Sequence, residues 1–440
     1  MSYAGEKTKA ETMLAEQFAV ALPGLPGNDP AMKQRRSAAF AHILRDGLPS
    51  KRNESWHYTD LRMKMPEAAL PMLALLPSTI PTGKAPADPC AAATPVHFSF
   101  ASGLTLEGRS VPEGLSFVSI RDGLVRNHPM VAHLGIAARD EASPIVALNS
   151  AFVTDGIILR VAKGVRIAEP IRMFAPFAME MARAATSRIV VILEEGAELS
   201  LVMSQVGPNG IAYQSNVVCE CQVADDAKLD IVRLNLAGDR AQVLVNTSAS
   251  TGARSEFNFF AMSAGGAVSR HEIQLASTGE NAKVRLNGVI LAKAEQHTDF
   301  TLEVDHRAPG CESRELFRSV IDGDATGVFQ GKIMVKREAQ RTDGKMASNA
   351  ILLSDGATMN NKPELEIFAD DVQCAHGATC GALDEDLLFY LQSRGLPKAE
   401  AEALMIQAFC GEAIESISNE ATRDVFNGLV ARWLKARSCR

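Results

Sequence analysis

Gly196-Ala197-Glu198-Leu199-Ser200-Leu201, Asp226-Ala227-Lys228-Leu229-Asp230-Ile231, Gly252-Ala253-Arg254-Ser255-Glu256-Phe257 and Asn281-Ala282-Lys283-Val284-Arg285-Leu286 read as copies of one phrase, and Gly310-Cys311-Glu312-Ser313-Arg314-Glu315-Leu316 keeps its rhythm. Each copy opens on turn chemistry, passes a small residue and then alternates polar with apolar at the period of a strand. The small residues stand at 197, 227, 253, 282 and 311, a spacing of 26 to 30 residues. Most copies follow a second apolar run, at 189–193, 217–223, 243–245 and 273–275, so each holds at least two strands. A period of this length built from strands means a solenoid or a propeller. Propeller blades take about 40 residues and four strands, so a parallel β-helix fits better, with the small residue at a corner and the aliphatics stacked inside. An antiparallel sandwich with coincidental spacing is the competing reading.

Outward from the repeat, short β-branched and aliphatic runs continue from 96 to 351. Before them, 8–21 is a helix-forming run, the PGLPGNDP stretch at 23–30 breaks it, and 32–45 resumes helical spacing until Gly47-Leu48-Pro49. Residues 66–95 are rich in Pro and Ala, as a linker or draped segment is. After a last extended piece at 364–369 come helices over 384–394, 397–418 and 419–436. Asp384 is their first N-cap, Gly395 a stop, Pro397 a first-turn proline, and Asn419 with Glu420 opens the last helix. The expected organisation is a mainly β chain: an N-terminal helical region and linker over 1–95, a parallel β-helix over 96–369, and a C-terminal helical domain over 370–440.

Composition narrows the function. A formal charge of −7 without a long Lys/Arg run argues against nucleic acid and anionic membrane surfaces as partners. No start-of-chain signal and no run of roughly 18 apolar residues is present, so a cytoplasmic protein is expected. Eight scattered cysteines without a CxxC pair suit a reducing compartment. The phosphate-loop, dinucleotide and nucleophile-elbow motifs do not occur, which argues against an enzyme. A β-helix enzyme acting on polysaccharide is a rival that the low aromatic content, 5%, disfavours.

The densest chemistry lies in Asp370-Asp371-Val372-Gln373-Cys374-Ala375-His376-Gly377-Ala378-Thr379-Cys380. In an extended segment Cys374 and His376 point to one side, a thiol and an imidazole for a soft metal or a cluster edge. The ordinary alternative is a hydrogen-bonded histidine beside two small core thiols. A resident zinc or iron–sulfur site needs about four spaced ligands, and none completes this one, so no tightly bound cofactor is expected. His297 and His306, near Glu303 and Asp305, are expected to be ordinary strand histidines. Trp56-His57-Tyr58 resembles an aromatic anchor that packs the N-terminal unit onto another element, with ordinary hydrophobic packing as the favoured alternative.

Three stretches carry a resemblance: Glu54-Ser55-Trp56-His57-Tyr58-Thr59-Asp60-Leu61; Ala147-Leu148-Asn149-Ser150-Ala151-Phe152 through Asp155-Gly156; and Lys362-Pro363-Glu364-Leu365-Glu366-Ile367 through Cys374-Ala375-His376-Gly377-Ala378-Thr379 to Leu388-Phe389-Tyr390-Leu391-Gln392-Ser393-Arg394-Gly395. In these the chain resembles the SufB/SufD family of iron–sulfur cluster assembly proteins, specifically its D branch. The resemblance implies a right-handed parallel β-helix between helical ends, acting as a non-catalytic scaffold in a complex with a SufB-type subunit and a SufC-type ABC ATPase. It implies that Phe389, Tyr390 and Arg394 dock the ATPase, and that His376, with Cys374 beside it, stands at the interface with the B-type subunit, where it transiently meets iron or a nascent iron–sulfur cluster. It also leaves room for a flavin in the complex and for a homodimer when the chain is alone. His376-Gly377 where the B branch has His-Glu, and Ser348-Asn349 near where it has a cysteine, favour D over a B-type cluster carrier. Cys380 lies outside the family pattern.

Overall fold

The computed structural model describes residues 6–27, 29–72, 86–91, 96–99, 105–108, 111–178 and 181–438; most of the expected linker, 73–85 and 92–95, lies outside the described residues. The corners of the repeat explain the rest. Gly196, Asp226, Arg254, Asn281, Gly310 and Arg341 each take a left-handed backbone with φ between 55° and 70°, the conformation that turns one strand back above the previous coil. The residue after each, Ala197, Ala227, Ser255, Ala282, Cys311 and Thr342, is buried in the corner, where a longer side chain would strike the next coil. The third copy therefore differs from the sequence reading: Glu256 stands in register with Lys228 and Lys283, so Ser255 holds the corner and Ala253 does not. The Gly252-Ala253 pair imitates the corner two residues early, and Arg341-Thr342 is a sixth corner that carries no Gly or Ala to announce it.

Two parallel sheets result. One stacks β4 (Asp155–Val161), β6 (Ala184–Leu193), β8 (Gln214–Val223), β10 (Gln242–Thr251), β12 (Val268–Ser277), β14 (His297–His306), β16 (Thr326–Val335) and β18 (Thr358–Ile367). The other stacks β5 (Ile171–Pro176), β7 (Glu198–Val206), β9 (Lys228–Leu236), β11 (Glu256–Ser263), β13 (Lys283–Ala292), β15 (Glu312–Ile321), β17 (Asp343–Leu352) and β19 (Gln373–Gly381). Successive strands alternate between sheets, so the chain winds as a parallel β-solenoid of about eight turns, each contributing one strand to each sheet. The sandwich alternative is thereby removed. The N-terminal end is closed by shorter pieces: β1 (Val96–Ser99) lies parallel on β5 and pairs antiparallel with β2 (Thr105–Gly108), and β3 (Leu115–Ser119) lies antiparallel on β4.

Alternate residues point inward and form one continuous apolar core. Phe300, Phe317 and Phe329 form its densest part, with ring centroids 5.4 and 4.8 Å apart. The outer faces of both sheets are covered by helices. α1 (Lys9–Ala21), α2 (Pro30–Asp46) and α5 (Pro144–Phe152) pack with Trp56 against Val218 and Leu244. The four-residue α3 (Leu61–Lys64) follows the Trp56 phrase, and α4 (Ile120–Arg126) covers β4 and β6. On the other sheet, α7 (Lys398–Ile414) and α8 (Glu420–Ser438) bury Ile406, Cys410, Phe426 and Trp433 against Val232, Leu234, Phe260 and Val289. α6 (Glu385–Ser393) precedes them and buries no residue. Among the described residues no helix is long and apolar enough to cross a membrane.

The local signals account for most boundaries. Thr8 and Glu11 form a reciprocal capping box on α1, and Gly47 ends α2 at φ 73°. α2 starts at Pro30, before the expected 32, because Asp29 accepts from the amides of Ala31 and Met32 at 3.0 Å; the end of the expected breaker is a start signal. Pro397 caps α7 from just outside its first turn. Residues 120–152, expected within the coil, contain α4 and α5, while coil pairing runs past the expected boundary at 369 to Gly381. The Trp56 phrase anchors the N-terminal unit: the Arg270 guanidinium lies 3.8 Å from the ring centroid and donates to the Ser55 carbonyl at 2.6 Å. Thr59 Oγ1 lies 2.8 Å from His297 Nε2, and His306 Nε2 lies 3.1 Å from Ser313 Oγ, so both strand histidines are hydrogen-bonded core groups.

Because Phe317 bridges Phe300 and Phe329 across two coils, Phe317→Ala is expected to destabilise the chain by about 3–5 kcal/mol, read from the shift in urea midpoint at unchanged slope.

Candidate functional site at the open end of the coil

A stacked parallel sheet can satisfy every interior strand but not its last one. β18 and β19 are the terminal strands of the two sheets, each with a coil neighbour on one side only, β16 and β17 respectively. Their exposure reflects this. β16 buries most of its residues and β17 still buries alternate ones, whereas in β18 and β19 every residue is half-buried or exposed. The N-terminal end of the coil carries antiparallel caps, and the C-terminal end presents two edge strands.

Register identifies what that end displays. On β17 the inward residues are Gly344, Met346, Ser348 and Ala350, all buried. Their partners on β19 are Cys374, His376, Ala378 and Cys380. The expected thiol–imidazole pair therefore exists, on one face at period two, and that face is the inside of the coil laid open. On β18 the corresponding residues are Met359, Asn361, Pro363, Leu365 and Ile367. The open cross-section is apolar along β18 except at Asn361 and carries sulfur and imidazole along β19. Phe368, 58% exposed, adds an apolar rim.

Cys374 is half-buried and packs against the core, and burial raises its thiol above the ordinary range, with the Gly344 backbone amide pulling weakly the other way. Cys380 is exposed and His376 is exposed, with no hydrogen bond among the described residues. Ser348, one coil below, donates to Asn361 Oδ1 at 2.7 Å, and Asn349 Nδ2 donates to Thr379 Oγ1 at 2.6 Å. Among the described residues no group of three His, Cys, Asp or Glu side chains is placed to hold a metal ion. The end of the coil alone offers two or three soft donors, so a closed ligand set needs groups from outside this chain.

Beneath this surface lies a residue that sequence reasoning missed. Glu315 points inward on β15, in register with Met346 and then His376. It is 2% exposed, and among the described residues neither carboxyl oxygen has a hydrogen bond of good geometry, Ser313 being the nearest donor. Burial pushes its carboxyl up to about 8, against weaker opposing pulls from Ser313 and Arg314. The signal was available in the repeat: Glu315 occupies the position held by Ile231, Phe259 and Leu286 in earlier coils.

The other predicted residues sit on α6, away from His376's strand. Asp384 Oδ1 caps the amide of Leu387 at 2.9 Å. Leu388 and Leu391 are half-buried, while Leu387, Phe389 and Tyr390 are exposed, Phe389 by 72%. The Arg394 guanidinium lies 5.2 Å from the Tyr390 ring centroid. Leu404 on α7 is also exposed, which gives the helical end an apolar surface of its own.

Comparison with known proteins bears on this geometry. The profile described as SUF system FeS cluster assembly, SufBD core domain, matches residues 177–409, and that of the SufBD protein N-terminal region matches 99–173. The iron–sulfur cluster assembly protein SufD of Escherichia coli is 27% identical over 427 residues, covering 91% of this chain and 96% of the relative. The chloroplastic protein ABCI7 of Arabidopsis thaliana is 28% identical, covering 93% and 88%. SufD of Bacillus subtilis is 24% identical, covering 78% of each.

Because folding raises the Glu315 pKa above its ordinary value, the fold favours the neutral acid: stability is whole at low pH and falls as pH rises toward about 8. Glu315→Gln, neutral throughout, is expected to match the parent near pH 4.5 and to exceed it by a growing margin up to pH 8, with about 4–5 kcal/mol as the upper limit. Urea midpoints at pH 5, 6, 7 and 8 check this; parallel curves for the two proteins would contradict it.

Proposed function

The chain belongs to the SufBD family of SUF-system iron–sulfur cluster assembly proteins, and from that premise we propose that it is a non-catalytic, cytoplasmic D-type scaffold subunit that pairs with a SufB-type subunit and docks a SufC-type ABC ATPase. The single observation that carries this reading is the uncapped end of the coil, where two edge strands expose backbone and an inward face bearing Cys374 and His376. An edge of that length is a template for a further strand. A paralogous solenoid end offers one of the right period, and the interface so formed brings Cys374 and His376 against donors of the partner. The nascent iron–sulfur cluster is the cargo of that interface, and no cofactor is held permanently; any flavin belongs to the assembled complex. Alone, the same end supports a homodimer.

The second half of the proposal rests on α6. A helix of nine residues gains little from its own hydrogen bonds, and this one turns Phe389 and Tyr390 to solvent with Arg394 beside them. Aromatic and arginine side chains grouped this way are typical binding hot spots. The ATPase surface is joined to the coil end by a ladder on the outer face of the second sheet: Glu412 of α7 pairs with Arg318 of β15, Arg318 donates to Asn349 of β17, and Asn349 donates to Thr379 of β19. Movement of α7 driven by nucleotide thus has a bonded route to the strand that carries His376, and a shift of β19 alters what the interface presents.

Co-expression with B-type and C-type subunits tests both halves. His376→Ala is expected to leave the ternary complex intact and to remove most of its iron–sulfur absorbance after anaerobic isolation; unchanged cluster content would make His376 a structural residue, and failure of the parent chain to bind either partner would overturn the proposal. Phe389→Ala and Tyr390→Ala are each expected to weaken ATPase binding about 10- to 100-fold, measured by calorimetry, while B-type pairing persists.

A further inference from the structure

The middle of the coil holds a buried cation with no salt-bridged carboxylate among the described residues. Arg233 lies on β9 on the inward side, in line with Leu229 and Ile231, and is 6% exposed. A guanidinium presents five N–H donors, and the acceptor found for this one is Met203 Sδ at 3.8 Å, a weak partner. Other deeply buried arginines are provided for: Arg188 pairs with Glu220 at 2.6 Å, Arg270 with Asp299 and Glu272, Arg172 with Asp88 at 3.2 Å. Arg36, without a carboxylate, donates to the carbonyls of Pro26, Ala151 and Ser150. Among the described residues Arg233 has neither arrangement, and a buried cation without a counter-charge is costly.

Beside Arg233 is a cavity of ≈ 20 Å³, bordered by Asn235, Ser263, Ser269 and His271. About 10–15 Å³ suffices for one water-sized particle, so a monatomic ion fits. Its walls offer donors. The Ser263 hydroxyl accepts from Asn235 Nδ2 at 3.0 Å and so keeps its own proton free. His271, whose pKa burial and then Arg233 hold well below the ordinary range, is a neutral ring 3.0 Å from Thr247 Oγ1 and adds no negative charge. Asp299 reaches the rim only from the outward side of β14, where Arg270 and Thr59 occupy its carboxylate.

We propose that this cavity binds one small monovalent inorganic anion of halide size, held by the Arg233 guanidinium with the Ser263 hydroxyl as second donor. The anion completes the core of the third to fifth coils as a structural ion. This inference stands on the geometry of the cavity and not on the family reading.

Thermal unfolding of the full chain tests it, in sodium gluconate at constant ionic strength with chloride or bromide substituted from 10 to 300 mM. Gluconate is too large to enter. The midpoint is expected to rise by roughly 2 °C across that range for the parent, to rise equally for the exposed control Arg254→Gln, and to stay flat for Arg233→Met. Bromide-soaked crystals are expected to give an anomalous peak against the guanidinium, and that peak decides the matter alone should Arg233→Met fail to fold. Equal midpoints in gluconate and halide with no peak would mean that the cavity holds water only and overturn the proposal.

Discussion

Each strand of the coil is held by the one before it and completed by the one after, and this one-dimensional dependence on the next ladder of backbone hydrogen bonds governs the rest of the structure. At the N-terminal end the demand is met internally, by β3 on one sheet and the β1–β2 hairpin on the other. At the C-terminal end the chain leaves the coil at Gly381 for helices that pack on a side face, not across the opening. The geometry that makes the solenoid rigid therefore makes its last coil incomplete. An isolated monomer carries that edge as a liability, and an assembly subunit uses it.

The same stacking brings remote residues into columns. Glu315, Met346 and His376 are separated by about thirty residues at each step, yet lie one above another inside the coil. Arg318, Asn349 and Thr379 form the matching column outside, and Glu412 extends it to the C-terminal helices. One column ends at the open end of the coil and the other at the C-terminal helices, with one strand thickness between them. A solenoid is well suited to this, because shifting a single strand changes both of its faces together.

The solenoid was legible because its corners recur: Gly196-Ala197, Asp226-Ala227, Asn281-Ala282 and Gly310-Cys311 are short-range patterns that any ordering of coils must repeat. Where a corner used other residues the reading slipped, at Arg254-Ser255, or passed it by, at Arg341-Thr342. A left-handed residue held in place by its neighbours above and below needs no glycine: Arg254 is tied to Asp226 of the previous corner by paired bonds at 2.7 and 2.6 Å. That compensation acts between coils and leaves no local mark. For the candidate site, the period-two placement of Cys374 and His376 was readable from the strand pattern. Which way they face was not.

The sequence by itself determined the repeat, the aliphatic interior, the helical ends with the cap at Asp384, and the grouping of thiol and imidazole in one short segment, because all of these arise from interactions a few residues or one period long. Only the tertiary structure decided that this segment is the final coil strand and not the start of the helical domain, that its even-numbered residues face the coil interior at an open end, and that Arg233 and Glu315 are buried on the inward face of their strands. Those facts depend on the presence or lack of a neighbouring coil, and a strand carries the same alternation whether or not another is laid upon it.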